Sequence, residues 1–295
     1  MSFFSIPDDE IEDPLYKALK NREYWQKHDY HTYIEELYKR TEIYLDNNLP
    51  QKASKHFHAH FWEMYLCDVL LSRNKNIVQR SNRKYQESKG PDLLIENGKQ
   101  KIWIEAVTVS AGIGKNEVLI EDNEEAQTVP ENLIKLRLTS SIHTKEKVFE
   151  KYLKEGVIDE KDLTIIALNG KNIPLSVTEQ TVPRIARCLF GIGSLSFTFD
   201  RTSKSLTNSY YHENSFTQNP NEEEVRFDNF LTDKYSHISG IIYSIVDIYN
   251  MPNLIGNDLT LVYNPKAINH LQQNFINVGQ EYFLVGDELK NQSHY

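Results

Sequence analysis

Two acidic residues are placed by a predicted β-hairpin so that they could bind a divalent cation together. Residues 93–96 and 101–109 are short runs rich in Leu, Ile, Val and Trp, and the Asn-Gly pair between them is the strongest two-residue hairpin signal. The two runs are therefore predicted to pair as antiparallel strands. Asp92 precedes the first strand and Glu105 lies within the second. Two carboxylates at a strand opening suit Mg²⁺, a hard cation that prefers oxygen ligands.

The surroundings predicted for Glu105 make a charged partner necessary. Side chains alternate along a strand, so Glu105 shares a face with Lys101, Trp103 and Val107. Burying a carboxylate among apolar neighbours without a partner costs several kcal/mol. Glu105 therefore needs a cation, hydrogen-bond donors or a metal. A structural alternative stays open, in which Glu105 pairs with an Arg or Lys and Asp92 only initiates a turn.

Two predicted helices each carry a charged residue beside an apolar stripe. Residues 53–72 form the most apolar helix of the first third, and Glu63 lies at the border of its stripe. Residues 131–155 form a second helix, in which Lys145 interrupts an apolar face. A lysine in that position either extends to the helix boundary or meets an acid. Arg137 lies two turns earlier, in a polar seam beside the same stripe.

A local excess of positive charge precedes Asp92. Residues 73–89 contain six basic residues and one acid, although the chain as a whole is acidic. A basic loop beside an acidic metal site is what phosphodiester chemistry requires, because the backbone must be held while the cation acts on one phosphate. A solvated loop is the alternative. The candidate nucleic-acid contacts are Arg73, Arg80, Arg83, Lys84 and Arg137.

Composition excludes several classes of protein. The formal charge is -9, from 33 basic and 42 acidic residues, so a nucleic-acid surface must be a local patch. Cys67 and Cys188 are isolated, which argues against a zinc site and against a disulfide scaffold. We expect a cytoplasmic protein, since the sequence shows neither an export signal nor a membrane-spanning segment. The oligomeric state cannot be derived from the sequence.

The order of apolar runs predicts an α/β fold with a central mixed sheet flanked by helices. Residues 1–50 are interpreted as an N-terminal helical extension and residues 51–295 as the α/β domain, with a polar insertion around 200–236. Strands are predicted at 163–168, 195–199, 239–248, 259–263 and 282–285, and helices at 182–190 and 266–275.

An acidic helix residue, a Pro-Asp pair at a strand start and an acid on the next strand together resemble the PD-(D/E)XK nuclease-like superfamily, also called restriction-endonuclease-like. The matching residues are Glu63, Pro91, Asp92 and Glu105, and the resemblance covers residues 55–170. It implies an αβββαβ core. It also implies that Asp92 and Glu105 bind Mg²⁺ or Mn²⁺, with Glu63 as a supporting ligand.

The chain departs from this family pattern at one position. The pattern places a lysine two residues after the second acid, where this chain has Val107. Some superfamily members supply the lysine from a neighbouring element, and Lys145 is the candidate substitute, with Lys101 as second choice. The expected activity is Mg²⁺-dependent hydrolysis of DNA, with RNA as the less favoured substrate. The rival interpretation is an inactive nuclease fold that serves as a binding or assembly module; a carboxylate-pair sugar hydrolase is less favoured.

Overall fold

The computed structural model describes residues 2–23, 29–83, 90–119 and 128–294. Within these ranges the chain forms a seven-stranded mixed sheet with helices on its faces, so the predicted mixed α/β architecture is confirmed. Lys84, one of the candidate nucleic-acid contacts, lies outside the described residues.

The helices lie mainly in the first two thirds of the chain. Their bounds are α1 Pro14–Lys20, α2 Tyr30–Thr41, α3 Leu49–Ala53, α4 Phe57–Ser72, α5 Glu131–Lys154 and α6 Arg184–Phe190. The strands are β1 Leu93–Asn97, β2 Gln100–Thr108, β3 Leu163–Asn169, β4 Ile192–Asp200, β5 Ser205–Glu213, β6 Phe216–Gln218, β7 Glu224–Arg226, β8 Gly240–Ser244, β9 Thr260–Tyr263, β10 Gly279–Val285 and β11 Glu288–His294.

The central sheet has the strand order β1-β2-β3-β8-β9-β10-β11. The predicted hairpin is confirmed, since β1 and β2 pair antiparallel and Gly98 takes the positive φ of 63° that its tight turn requires. Strand β3 then runs parallel to β2, and α5 makes the connection between them. A bridge between Ile77 and Ile95 extends the sheet beyond β1.

Two hydrophobic clusters lie on opposite faces of the sheet, and β2 contributes to both. Ile102 and Ile104 point into the cluster that contains α4 and the N-terminal helices. Trp103 points into the other cluster, which contains α5 and α6. Because side chains alternate, Glu105 shares the face of Trp103 and is directed toward α5. The N-terminal helices share a core with α4 and the sheet.

Two features of the second half differ from the sequence-based expectation. The predicted helix at 266–275 is wrong, because these residues form turns. Side chains outside the segment hold it in that form: the Asn264 amide oxygen accepts from Lys266 N, and the Tyr263 hydroxyl accepts from Phe275 N. The predicted strand at 195–199 falls within β4, but β4 pairs with β5 in a separate two-stranded sheet. The polar stretch 200–236 therefore contains β5, β6 and β7.

Candidate active site

The register of β1 and β2 places the two predicted acids side by side. Leu93 pairs with Ile104, so Asp92, one residue earlier, lies beside Glu105, one residue later. The Asp92 carboxylate also accepts a hydrogen bond from the backbone N–H of Ala106, at 2.7 Å. This bond holds the Asp92 side chain against β2, next to Glu105.

Lys145 reaches this pair from α5. Its Nζ donates a hydrogen bond of 2.7 Å to Glu105 Oε1, and both side chains are largely shielded from solvent. The break in the apolar stripe of α5 is thereby explained: the amine at this position meets a carboxylate on the facing strand. The structure thus brings together Asp92, Glu105 and Lys145 from three separate elements.

Burial is the largest electrostatic effect on the two acids, and neighbouring charges modify it. Burial raises the pKa of Asp92 well above its usual range, and the nearby charges of Glu105 and Glu63 raise it further. Burial also raises the pKa of Glu105, against the opposing attraction and hydrogen bond of Lys145. Asp92 and Glu105 therefore share the ammonium group of Lys145, and an added cation would favour their ionised forms.

Glu63 contributes charge to this cluster from α4. Its carboxylate is close enough to raise the pKa of both Asp92 and Glu105, and it lies 3.2 Å from His60 Nδ1. Among the described residues, no group of three or more His, Cys, Asp or Glu side chains is arranged to hold a metal ion. Asp92 and Glu105 are therefore the two carboxylates that lie next to each other. Glu63 acts on them through its charge.

Arg80 and Arg83, both predicted to contact nucleic acid, are buried and have partners within the protein. Arg83 donates hydrogen bonds to the carbonyl oxygens of Tyr44 and Asp92, at 2.7 and 2.8 Å. Arg80 forms an ion pair of 2.7 Å with Asp46, and its charge also lowers the pKa of Glu105. Arg83 therefore links the backbone at Asp92 to that at Tyr44, whereas Arg80 is paired with Asp46.

Arg73 and Arg137 are half-buried and lie closer to the surface. Arg73 donates to the Ile255 carbonyl oxygen at 3.3 Å. Arg137 donates to the carbonyl oxygen and the hydroxyl of Ser110, at 3.0 and 3.1 Å. Ser110 follows β2, so Arg137 lies near the strand that carries Glu105. Lys101 lies four residues from Glu105 along β2, opposite Glu96, at the other end of the hairpin.

Sequence reasoning missed Tyr152 as a member of the site. Burial raises the pKa of Tyr152 to about 12, and the charges of Glu105 and Asp92 act in the same direction. The Gly90 backbone N–H hydrogen-bonds to its hydroxyl, which ties α5 to the segment before Asp92. Tyr152 follows Lys145 by two helical turns on the same face of α5, and this spacing was the available signal.

No protein-family model, curated protein or solved structure matches this chain. The inference of function therefore depends on the geometry and charge of the site. Within the described ranges, no helix combines the length and the apolar character needed to cross a membrane.

Proposed function

We propose that this protein is a Mg²⁺- or Mn²⁺-dependent nuclease that hydrolyses phosphodiester bonds of DNA, with RNA as the less favoured substrate. The observation that carries the proposal is the convergence of Asp92, Glu105 and Lys145 at one point of the sheet. Two carboxylates and an amine are the groups that such a reaction needs from the protein.

The donor set and its charge fit a hard divalent cation. Mg²⁺ is commonly held by one or two carboxylates, with waters and substrate phosphates completing its coordination. Asp92 and Glu105 would supply these carboxylates, and the charge of Glu63 would support them. The raised pKa values of Asp92 and Glu105 are consistent with this assignment, because burial, their main cause, disfavours the ionised carboxylates and a bound cation would favour them. A bound Mg²⁺ lowers the pKa of its water and neutralises charge on the phosphate.

Lys145 would perform the work of the lysine that the family pattern places at Val107. In the family pattern the lysine follows the second acid by two residues. Here the ammonium group of Lys145 contacts that second acid, Glu105, directly. From there it would orient the attacking water or stabilise the charge that develops on the phosphate. The contact with Glu105 keeps the long side chain directed toward the acids.

The order of elements also supports the PD-(D/E)XK resemblance. Helix α4 is followed by the bridging residue Ile77, then by β1, β2, α5 and the parallel strand β3. With the Ile77 segment as the first strand, this order corresponds to the αβββαβ core that the resemblance implies. Asp92 directly precedes β1 and Glu105 lies on β2, an arrangement that supports the resemblance.

Arg137 and Arg73 are the described residues that remain as candidate phosphate contacts. Arg137 donates a hydrogen bond to Ser110, which follows the strand that carries Glu105. Arg73 lies at the end of α4. Because the chain carries a charge of -9, we propose that substrate binding depends on a few local contacts and on the metal.

Nicking of supercoiled plasmid DNA in Mg²⁺ or Mn²⁺ tests this proposal. We expect the wild type to nick the plasmid and Asp92→Asn and Glu105→Ala to lose this activity. Glu96→Gln, which changes an acid at the far end of the same hairpin, serves as the matched control and should retain it. Equal activity of the wild type and Glu105→Ala would remove the enzymatic claim.

A second candidate function is a binding or assembly module that keeps the fold without catalysis. Two observations favour it: Val107 replaces the motif lysine, and Lys145 already neutralises Glu105. Such a protein would shift DNA in a gel while its nicking remained at the level of Asp92→Asn. The two assays together separate the two functions.

A further inference from the structure

The hairpin of β4 and β5 forms a separate arm beside the central sheet. The two strands pair with each other in a sheet of their own. Every residue from 201 to 210 is exposed to solvent, which includes the turn and most of β5. The base of the arm joins the core through Ile192, which packs against the cluster that contains α5.

One face of this arm carries large apolar side chains that face solvent. Leu195, Phe197 and Phe199 are alternate residues of β4, and Leu206 pairs directly with Phe199, next to a register shift between Thr198 and Phe199. The exposed fractions are 61% for Phe197 and 57% for both Phe199 and Leu206. The opposite face carries Tyr210, which pairs with Ser196 and is 47% exposed, and a hydrogen bond of 2.7 Å between Ser196 and His212.

The area of the apolar face is too small for a stable dimer. A large side chain of this kind contributes on the order of 150–250 Å² when it is buried. The exposed parts of Phe197, Phe199 and Leu206 therefore amount to roughly 300 Å² of apolar surface. Two arms packed face to face would bury roughly 600 Å², about half of the ~1,200 Å² at the lower end of stable interfaces. A nucleobase needs only one ring to stack upon, and one such stack changes affinity by about fivefold to a hundredfold.

The tip of the arm, residues 200–204, carries two basic residues and one acid, which gives a local net charge of +1. Its turn carries Arg201 and Lys204, both exposed, in a chain of net charge -9. The acid beside them, Asp200, accepts a hydrogen bond of 2.7 Å from the Thr202 backbone N–H and so stabilises the turn. Exposed rings next to basic side chains are the combination that binds single-stranded nucleic acid without sequence preference.

We infer that the arm binds unpaired bases of single-stranded nucleic acid through stacking on Phe197 and Phe199. Arg201 and Lys204 contact the adjacent phosphates. This inference rests on the proposed function, because a nuclease has a use for a surface that holds its substrate away from the metal site.

Binding of a fluorescein-labelled oligothymidylate, followed by fluorescence anisotropy at fixed salt, tests the inference. We expect the double variant Phe197→Ser/Phe199→Ser to bind at least tenfold more weakly than the wild type. Phe216→Ser is the matched control, since Phe216 is 59% exposed but lies on β6, outside the arm. Its affinity should equal that of the wild type. All three substituted rings are exposed, so folding should be unaffected, and circular dichroism checks this.

Three results would overturn the inference: no binding by the wild type, equal affinity of the double variant and the wild type, or a wild-type dimer that the double variant dissociates in sedimentation velocity. The last result would show that a second copy covers the arm. If the wild type nicks plasmid and the double variant binds the oligonucleotide as tightly as the wild type, the arm does not bind single strands but the proposed nuclease activity stands. If binding depends on Phe197 and Phe199 but no plasmid is nicked, the arm binds single strands and the proposed nuclease activity is wrong.

Discussion

The ammonium group of Lys145, on α5, lies 2.7 Å from the Glu105 carboxylate, on β2. The contact joins a helix to the sheet at a largely buried position, where an unpaired charge is costly. Asp92 lies beside the same carboxylate, and burial raises its pKa well above its usual range, an effect that the charge of Lys145 opposes. We therefore expect substitutions of Lys145 or Glu105 to change both the free energy of unfolding and the proposed activity.

Lys145→Met should lower the free energy of unfolding by about 1–3 kcal/mol, because it leaves Glu105 buried without its partner. Adding Glu105→Gln should recover part of this loss, since the buried charge is then absent as well. Urea denaturation of the two single variants and the double variant gives the coupling energy. Lys154→Met, an exposed position on the last turn of α5, is the control. Strictly additive losses would contradict a direct interaction between Lys145 and Glu105.

Asp92→Asn should raise stability and abolish nicking at the same time. The raised pKa of Asp92 means that its ionised form destabilises the folded state, and an amide resembles the neutral form. We expect a gain of about 1–2 kcal/mol near neutral pH, measured by urea denaturation. The Asn side-chain oxygen can still accept the hydrogen bond from Ala106 N. A loss of stability would show that the carboxylate has a structural role instead.

Glu146 should make the stability of the protein depend on pH near neutrality. Burial, followed by the charge of Glu150, raises the pKa of Glu146 from 4.5 to about 7. An acid with a raised pKa contributes stability that is complete below its unfolded pKa and is lost as the pH rises through its folded pKa. The contribution should therefore be complete below about pH 4.5, decline as the pH rises from there to about pH 7 and level off above that, with a total change of at most about 3 kcal/mol.

Comparison of the wild type with Glu146→Gln isolates this effect. His143 and His237 face Glu146 at 3.4 and 3.6 Å, and burial lowers the pKa of both, so their contributions have the opposite sign and remain in the variant. Urea midpoints measured from pH 5 to 8 should converge at low pH and separate in favour of Glu146→Gln at high pH. Parallel profiles would contradict the assignment.

Arg83 and Arg137 should respond differently to the same substitution. Arg83→Met removes a buried guanidinium that holds the carbonyl oxygens of Tyr44 and Asp92, so we expect a loss of about 2–4 kcal/mol in the free energy of unfolding. Arg137→Met should change stability by less than about 1 kcal/mol but weaken DNA binding and reduce its salt dependence by about one counterion. Gel-shift titrations at several salt concentrations check the second outcome, and a stable Arg83→Met would contradict the first.

Local sequence signals predicted the part of the site that lies within short stretches of chain. The Asn-Gly turn and the alternation along β2 were sufficient to predict the hairpin and the face on which Glu105 lies, since both depend on neighbouring residues. Lys145 stood out because it interrupted an otherwise apolar stripe. A charged residue in such a position needs a partner, and the structure provides one.

The features that sequence reasoning missed depend on contacts distant in the chain. Arg80 and Arg83 belong to a basic stretch typical of a solvated loop, but both are buried. Arg80 pairs with Asp46, and Arg83 donates to backbone carbonyl oxygens. The helical pattern at 266–275 is overridden by hydrogen bonds that the side chains of Asn264 and Tyr263 accept from the backbone N–H groups of Lys266 and Phe275. Tyr152 was missed because it comes near Asp92 and Glu105 only once α5 packs against the sheet.

Isothermal titration with Mn²⁺ tests most directly whether Asp92 and Glu105 form a metal site. The account predicts that the wild type binds Mn²⁺, that Asp92→Asn and Glu105→Gln each abolish this binding, and that Glu96→Gln retains it. Absence of binding by the wild type, or equal binding by all four proteins, would contradict it.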